Sequence, residues 1–149
     1  MLKIGDTAPD FSLPNQSGEM VTLEDLISHG SAVVYFYPAD FTPVCTREAC
    51  AFRDRYEDLS DLSIPLVGIS PQSSRSHQRF SDAYSLRFPL LADEKKTAIR
   101  AFGVDGPLGF GVRRATFLID RSKRITNRVV SDLFVGGHLE LVKKVLEPG

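Results

Sequence analysis

Two thiols carry the chemistry this chain can do. Cys45 and Cys50 are its only cysteines, and both fall in "YFYPADFTPVCTREAC", residues 35–50, just after an apolar run. Cys45 stands where a helix is expected to begin. There, unsatisfied backbone N–H groups and the helix dipole favour an anion, and the anionic thiolate is the nucleophilic form of cysteine. Cys50 falls more than a turn further in, where that help has faded. The spacing therefore reads as one attacking thiol and one waiting thiol. In an ideal helix, residues five apart are separated by roughly 8.6 Å between Cα atoms. A disulfide needs about 4.4–6.8 Å. If the two are to pair, the helix start must unwind.

The flanking residues have a use in the same terms. Pro38 ends the apolar run and fixes the direction of the exit. The Thr42 hydroxyl, three residues before Cys45, is placed to turn toward the sulfur or an oxygen bonded to it. Pro43 stiffens the loop and suits a helix start. Glu48 is expected in the first turn, suited to the positive helix end and to a bidentate pair with an arginine. Asp40 is expected to bond loop backbone. Phe41 either lines an apolar pocket edge or simply packs. The bland alternative for both cysteines is burial as small inert hydrophobes.

The elements that must hold these residues follow from pattern. Thr7–Leu23 reads as a hairpin with Asn-Gln-Ser-Gly at its bend, and "LEDLISHG" as a brief helix closed by Gly30. "SAVVYFYP" and "LVGIS" read as strands buried on both faces. Ala49, Phe52, Tyr56 and Leu59 recur at helical spacing, which makes the cysteine segment an amphipathic helix. "SRSHQRFSDAYSL" and "EKKTAIRAFG" read as helices around a short strand in "FPLLAD". "VRRATFLID" and "RITNRVVSD" form a hairpin, and "HLELVKKVLE" a closing helix; the glycine-rich "GVDGPLGFGVR" is a loop. The order predicts one α/β domain over residues 1–149, a sheet covered on both faces by helices.

Composition narrows the partners. The chain has 149 residues, with 18 Lys and Arg against 19 Asp and Glu, a net charge of -1. Such a balance gives no long-range pull toward nucleic acid or an anionic membrane. The basic cluster from Arg113 to Arg128 is broken by Asp120 and is expected to be a solvated face. No apolar stretch resembles a signal peptide or a membrane span, so a cytoplasmic setting is expected. Thiols there are more often redox-active or metal-binding than structural. His29, His77 and His138 are scattered and read as surface or capping residues rather than ligands; His138, near a helix start in "GGHLEL", is expected to cap or pack.

On these motifs the sequence resembles a peroxiredoxin, of the bacterioferritin comigratory protein or peroxiredoxin Q branch. The Pro-x-x-x-Thr-x-x-Cys signature stands as "PADFTPVC", Pro38 to Cys45, and the branch's second cysteine as Cys50 in "CTREAC". The family's arginine matches Arg114 in "RATFLID"; the opening "GDTAPDFSLPNQSG" and closing "HLELVKKVL" extend the resemblance over nearly the whole chain. Val44 and Ala39 depart from the branch's frequent Gly and Lys.

The resemblance implies a thioredoxin-like fold with a central mixed sheet and an N-terminal β-hairpin. It implies reduction of hydrogen peroxide and organic hydroperoxides by Cys45, through a sulfenic acid that Cys50 captures as an intramolecular disulfide. Arg114 and Thr42 would bind the peroxide oxygens, while Pro38 and Pro43 would shield the sulfenic acid. Thioredoxin or a similar dithiol would restore the thiols. No cofactor is called for, and monomer is the default because both thiols lie in one chain. Arg113, adjacent to Arg114, faces the other way by strand alternation and defaults to a solvent-exposed charge.

Three rivals stand beside this reading. A copper-handling protein of the same fold would use Cys45, Cys50 and His138 as soft and imidazole ligands. A disulfide oxidoreductase would want Cys-x-x-Cys. A non-catalytic interaction domain would need neither thiol to react.

Overall fold

A computed structural model describes residues 1–132 and 134–146. It opens with a short antiparallel hairpin, β1 (Ser12–Pro14) and β2 (Met20–Thr22), and a four-residue helix, α1 (Leu23–Leu26). Asn15 builds the bend: its side-chain oxygen accepts from the backbone N–H of Ser17 and Glu19. The main chain then alternates β3 (Ala32–Phe36), α2 (Pro43–Asp61), β4 (Leu66–Ser70), α3 (Ser74–Tyr84), β5 (Leu90–Ala92) and α4 (Thr97–Ala101). Strands β6 (Ala115–Ile119) and β7 (Ile125–Val130) form the late hairpin, and α5 (Gly136–Leu146) follows. The expected extension of that helix to Glu147 lies outside the described residues. The glycine-rich segment is a loop with one 3-10 turn at Pro107–Gly109.

The five-stranded sheet has the order β5-β4-β3-β6-β7, with β3, β4 and β5 parallel and β6 and β7 antiparallel additions. Strand β3 is central, and all five of its residues are buried. That is why it reads as an unbroken apolar run rather than an alternating one. Its two faces serve two cores. Ala32, Val34 and Phe36 pack with Phe102 and Ile99 beside α4, and with Phe11 and Leu23 of the N-terminal segment. Val33, Tyr35 and Tyr37 pack under α2 with Ala49, Phe52 and Leu59, and reach Leu141 and Val142 of α5. The period of two along β3 thus assigns Tyr35 and Tyr37 to the face that carries the cysteine helix.

Gly68 of β4 stands opposite Tyr35 in the parallel register. A Cβ at that position would lie 2.8 Å from Tyr35 Cζ and 2.9 Å from its hydroxyl oxygen. The absent side chain lets the tyrosine ring lie over the neighbouring strand and support Phe52, whose ring centroid is 4.6 Å away.

Candidate active site

The site forms where β3 ends. Phe36 pairs with Ala115 across the β3–β6 ladder, so Arg114, one residue before β6, arrives beside the point where the chain leaves for α2. Thr42 is the N-cap of α2 and Pro43 its first residue, so Cys45 is the third residue of the helix. The Cys45 side chain is buried at 2% exposure, whereas Cys50 is partly exposed; both are free thiols. The expected placing of Cys45 at a helix start is the one observed.

Arg114 Nη2 donates to Cys45 Sγ at 3.1 Å, and Nη1 donates to Glu48 Oε1 at 2.6 Å. Its Nε is held by the Asp132 carbonyl at 3.2 Å. Its backbone N–H donates to the Asp132 carboxylate. One guanidinium therefore spans thiol and carboxylate, and the chain around residue 132 fixes its angle. Arg113 turns the other way, as alternation requires, and pairs with Asp132 at 2.8 Å. The basic segment is therefore not wholly a solvated face, because Arg114 is 2% exposed at its centre. Burial pushes the guanidinium toward losing its charge, but Glu48 and Cys45 outweigh this and hold its pKa above the ordinary value.

Glu48 departs from expectation in two ways. It lies in the second turn of α2, and the first turn holds no acidic residue. Nor is its pair with Arg114 bidentate: Oε1 takes the whole contact, and Oε2 is buried with no hydrogen-bond partner. Burial pushes the carboxyl up to about 7, with the charge and hydrogen bond of Arg114 opposing.

Thr42 also differs from the expected pose. Its hydroxyl donates to the Ala39 carbonyl at 2.8 Å, not to sulfur. With its hydrogen used there, the oxygen is left as an acceptor. Pro38 is half-buried and its carbonyl accepts from Gln72 Nε2 at 3.1 Å; Pro43 is exposed. Phe41 has a positive φ of 65°, an uncommon conformation for a bulky residue, and packs edge-on against Phe80 at 5.1 Å.

Asp40 and His77 depart from their expected places, whereas His138 packs near a helix start. The Asp40 side chain accepts from Tyr37 Oη, Ser76 Oγ and His77 Nδ1, each at 2.7 Å, so it bonds side chains and not loop backbone. His77 is wholly buried; His29 is exposed as anticipated. His138 is wholly buried against β6 and spends both ring nitrogens on protein partners: Thr116 Oγ1 at 2.7 Å and the Ser131 carbonyl at 3.0 Å. This overturns the copper-handling alternative, which needed a free imidazole. Among the described residues no cluster of histidine, cysteine and acidic side chains has a metal-holding arrangement.

Sequence reasoning missed Asp132 and Gln72. Asp132 carries no motif and comes to Arg114 only through the β6–β7 pairing. Gln72 comes from the β4–α3 connection and His77 from α3, far from the cysteine segment in sequence.

Comparison with known proteins gives the family. The AhpC/TSA family model matches residues 4–128. A putative peroxiredoxin bcp of Coxiella burnetii is 40% identical over 144 residues, 93% of this chain and 94% of that protein. Peroxiredoxin Bcp of Escherichia coli is 39% identical over 147 residues, covering 95% and 93%. Among solved structures, peroxidoxin BcpB of Mycobacterium tuberculosis superposes with a TM-score of 0.90 at 37% identity, over 98% of this chain and 97% of that one. A cysteine-to-serine mutant of Xanthomonas campestris peroxiredoxin Q gives 0.84 at 30% identity, over 98% and 96%. These matches confirm the thioredoxin-like fold with its N-terminal hairpin. With a buried thiol at a helix start under an arginine, they establish that the chain belongs to the AhpC/TSA family, among its Bcp and peroxiredoxin Q peroxiredoxins.

Proposed function

We propose that the chain reduces hydrogen peroxide and organic hydroperoxides with Cys45 as nucleophile and Cys50 as resolving thiol. The observation that carries the reading is the 3.1 Å contact from Arg114 Nη2 to Cys45 Sγ at the start of α2. A fixed cation beside the sulfur favours the thiolate and is in place for the negative charge that develops on peroxide oxygen.

The Cys45 thiolate attacks the terminal oxygen of ROOH. The S–O bond forms as the O–O bond breaks, the sulfur is oxidised to sulfenic acid, and the leaving alkoxide takes a proton to depart as ROH. Arg114 stabilises the charge passing to the leaving oxygen, and the Thr42 oxygen accepts the hydrogen bond of the peroxide proton. Pro38 and Pro43 narrow the approach to the sulfenic acid. The Cys50 sulfur then attacks Cys45 sulfur, expelling water and closing a disulfide. Both cysteines lie within α2, where an intact helix keeps their Cα atoms roughly 8.6 Å apart, so its first turns unwind for this step. A dithiol such as thioredoxin reduces the bond by exchange. One chain suffices, so the working unit is a monomer, placed in the reducing cytoplasm. Among the described residues no helix is long and apolar enough to cross a membrane.

Two variants test the assignment. Cys45→Ser abolishes peroxide consumption; turnover at the parent's rate removes Cys45 as nucleophile. Cys50→Ser reacts once and stalls as sulfenic acid or over-oxidises; sustained turnover with thioredoxin makes the second thiol dispensable.

A further inference from the structure

The loop that delivers Cys45 is tied down by a buried polar cluster that the chemistry above leaves unused. Asp40 is its centre. Its Oδ1 accepts from Tyr37 Oη, and its Oδ2 accepts from Ser76 Oγ and faces His77 Nδ1 at 2.7 Å. On the far side of the ring, His77 Nε2 faces the Leu91 carbonyl of β5 at 3.1 Å. Gln72 completes the anchorage. It accepts from the Asp40 backbone N–H at 3.1 Å and from Ser70 Oγ at 2.6 Å, and it donates to the Pro38 carbonyl. The β4–α3 segment thus grips Pro38 and Asp40, and the Thr42 hydroxyl closes the turn on Ala39.

Counting protons fixes the state of the cluster. The Leu91 carbonyl only accepts, so Nε2 must carry a hydrogen. The contact between Nδ1 and Oδ2 needs a second one. Asp40 already accepts from a phenol and a serine hydroxyl, which favour its ionised form. Burial pushes the carboxyl up, but the hydrogen bond and charge of His77 outweigh it and hold Asp40 below its ordinary range. Both contacts are met together when both ring nitrogens of His77, wholly excluded from solvent, donate. The titratable groups facing the imidazole are Asp40 from the loop and Tyr37 from the end of β3; β5 offers the Leu91 carbonyl, and Ser76 of its own helix bonds Asp40. Burial holds Tyr37 well above its ordinary pKa, so it stays neutral.

We infer that His77 is a positioning residue of the peroxidase site: held between Asp40 and the Leu91 carbonyl, it latches the Pro38–Thr42 loop so that Cys45 is seated beside Arg114, and loss of its contact with Asp40 releases the loop toward the unwound form in which Cys50 reaches Cys45. The sign follows from the charges. With the imidazole in place on Asp40 the pair is intact and the latch holds; without it Asp40 is a buried anion with no counter-charge, and the loop loosens. The part concerning Cys50 rests on the function proposed above; the latch itself does not.

The test uses the reduced full-length chain without peroxide, so it stands whether or not Cys45 is the nucleophile. Nitrogen-15 NMR of the His77 ring reads both nitrogens protonated at neutral pH; one bare nitrogen there overturns the inference. In His77→Gln at neutral pH, amide exchange at Asp40 and Thr46 rises about tenfold over the parent while β3 amides hold. Unchanged exchange in that variant, or an equal rise in β3, overturns it. Ser76→Ala, which keeps the ion pair but removes one donor to Asp40, gives a smaller local rise; no rise in either variant contradicts the latch. If the loop loosens in His77→Gln but disulfide formation after one equivalent of hydrogen peroxide is no faster, the link to Cys50 is overturned.

Discussion

Glu48 Oε1 lies 2.6 Å from Arg114 Nη1, with both side chains excluded from solvent. The contact joins the second turn of the cysteine helix to the residue just before β6, and it sets which way the other guanidinium nitrogen points. It also places a carboxylate where burial opposes its charge.

That opposition has a pH consequence. Glu48 keeps its proton to about 7 in the folded chain, against an ordinary 4.5. Between these values the folded chain holds a proton that the unfolded chain has released. This group's contribution to stability is therefore fully present below about 4.5 and falls as pH rises toward about 7, by on the order of 1–3 kcal/mol. Asp40 and Asp132, whose pKa values are lowered, work in the opposite direction at lower pH, so the difference between parent and variant is the quantity to read. Urea unfolding at about pH 5 and about pH 8 should show the parent losing stability relative to Glu48→Gln over that interval. Parallel curves would refute it.

Replacing Arg114 separates charge from geometry. Arg114→Lys keeps a cation but cannot span Cys45, Glu48 and the Asp132 carbonyl at once. The rate of peroxide consumption is expected to fall by about 10²–10³-fold, the scale for losing a fixed donor to developing charge. Arg114→Ala additionally leaves Glu48 buried without its cation, and Glu48→Gln in the same chain should recover much of the lost stability but none of the rate. Stopped-flow kinetics with thermal melts reads both. A lysine variant at full rate would show the fork to be unnecessary.

Much of this site was legible in the chain because it is local. Cys45, Thr42 and Pro43 sit within one turn-and-helix segment, so spacing ordered them, and the unbroken apolar run of β3 announced a strand buried on both faces. Arg114 is distant in sequence and was found through its motif, since adjacent arginines on a strand cannot be told apart by pattern. What stayed hidden depends on tertiary contact. His77 read as a surface or capping residue, yet it is buried because partners from other elements satisfy both ring nitrogens. His138 packs, with partners on β6 and after β7 that its position at a helix start did not reveal. Asp40 kept its place in the loop but turned toward α3, a choice made by Ser76 and His77 across 36 and 37 residues. Glu48 was misplaced by one turn, because the helix starts at Pro43 and moves every later position inward.

The packing beneath the helix makes a further prediction. Gly68→Ala would drive a methyl into the Tyr35 ring, which supports Phe52 and stacks on Tyr37 at 5.4 Å. Tyr35 is wholly enclosed and has no room to retreat, so the cost should be about 1–3 kcal/mol of stability. Thermal unfolding measures it. An unchanged midpoint would mean the ring can move aside.

The account stands or falls on what one equivalent of hydrogen peroxide does to the reduced chain. Stopped-flow mixing followed by mass spectrometry of the digested product should find the peroxide consumed, two hydrogens lost, and Cys45 joined to Cys50 in a single linked peptide. Intact thiols with the peroxide still present, or oxidation at Cys50 with Cys45 untouched, would contradict it.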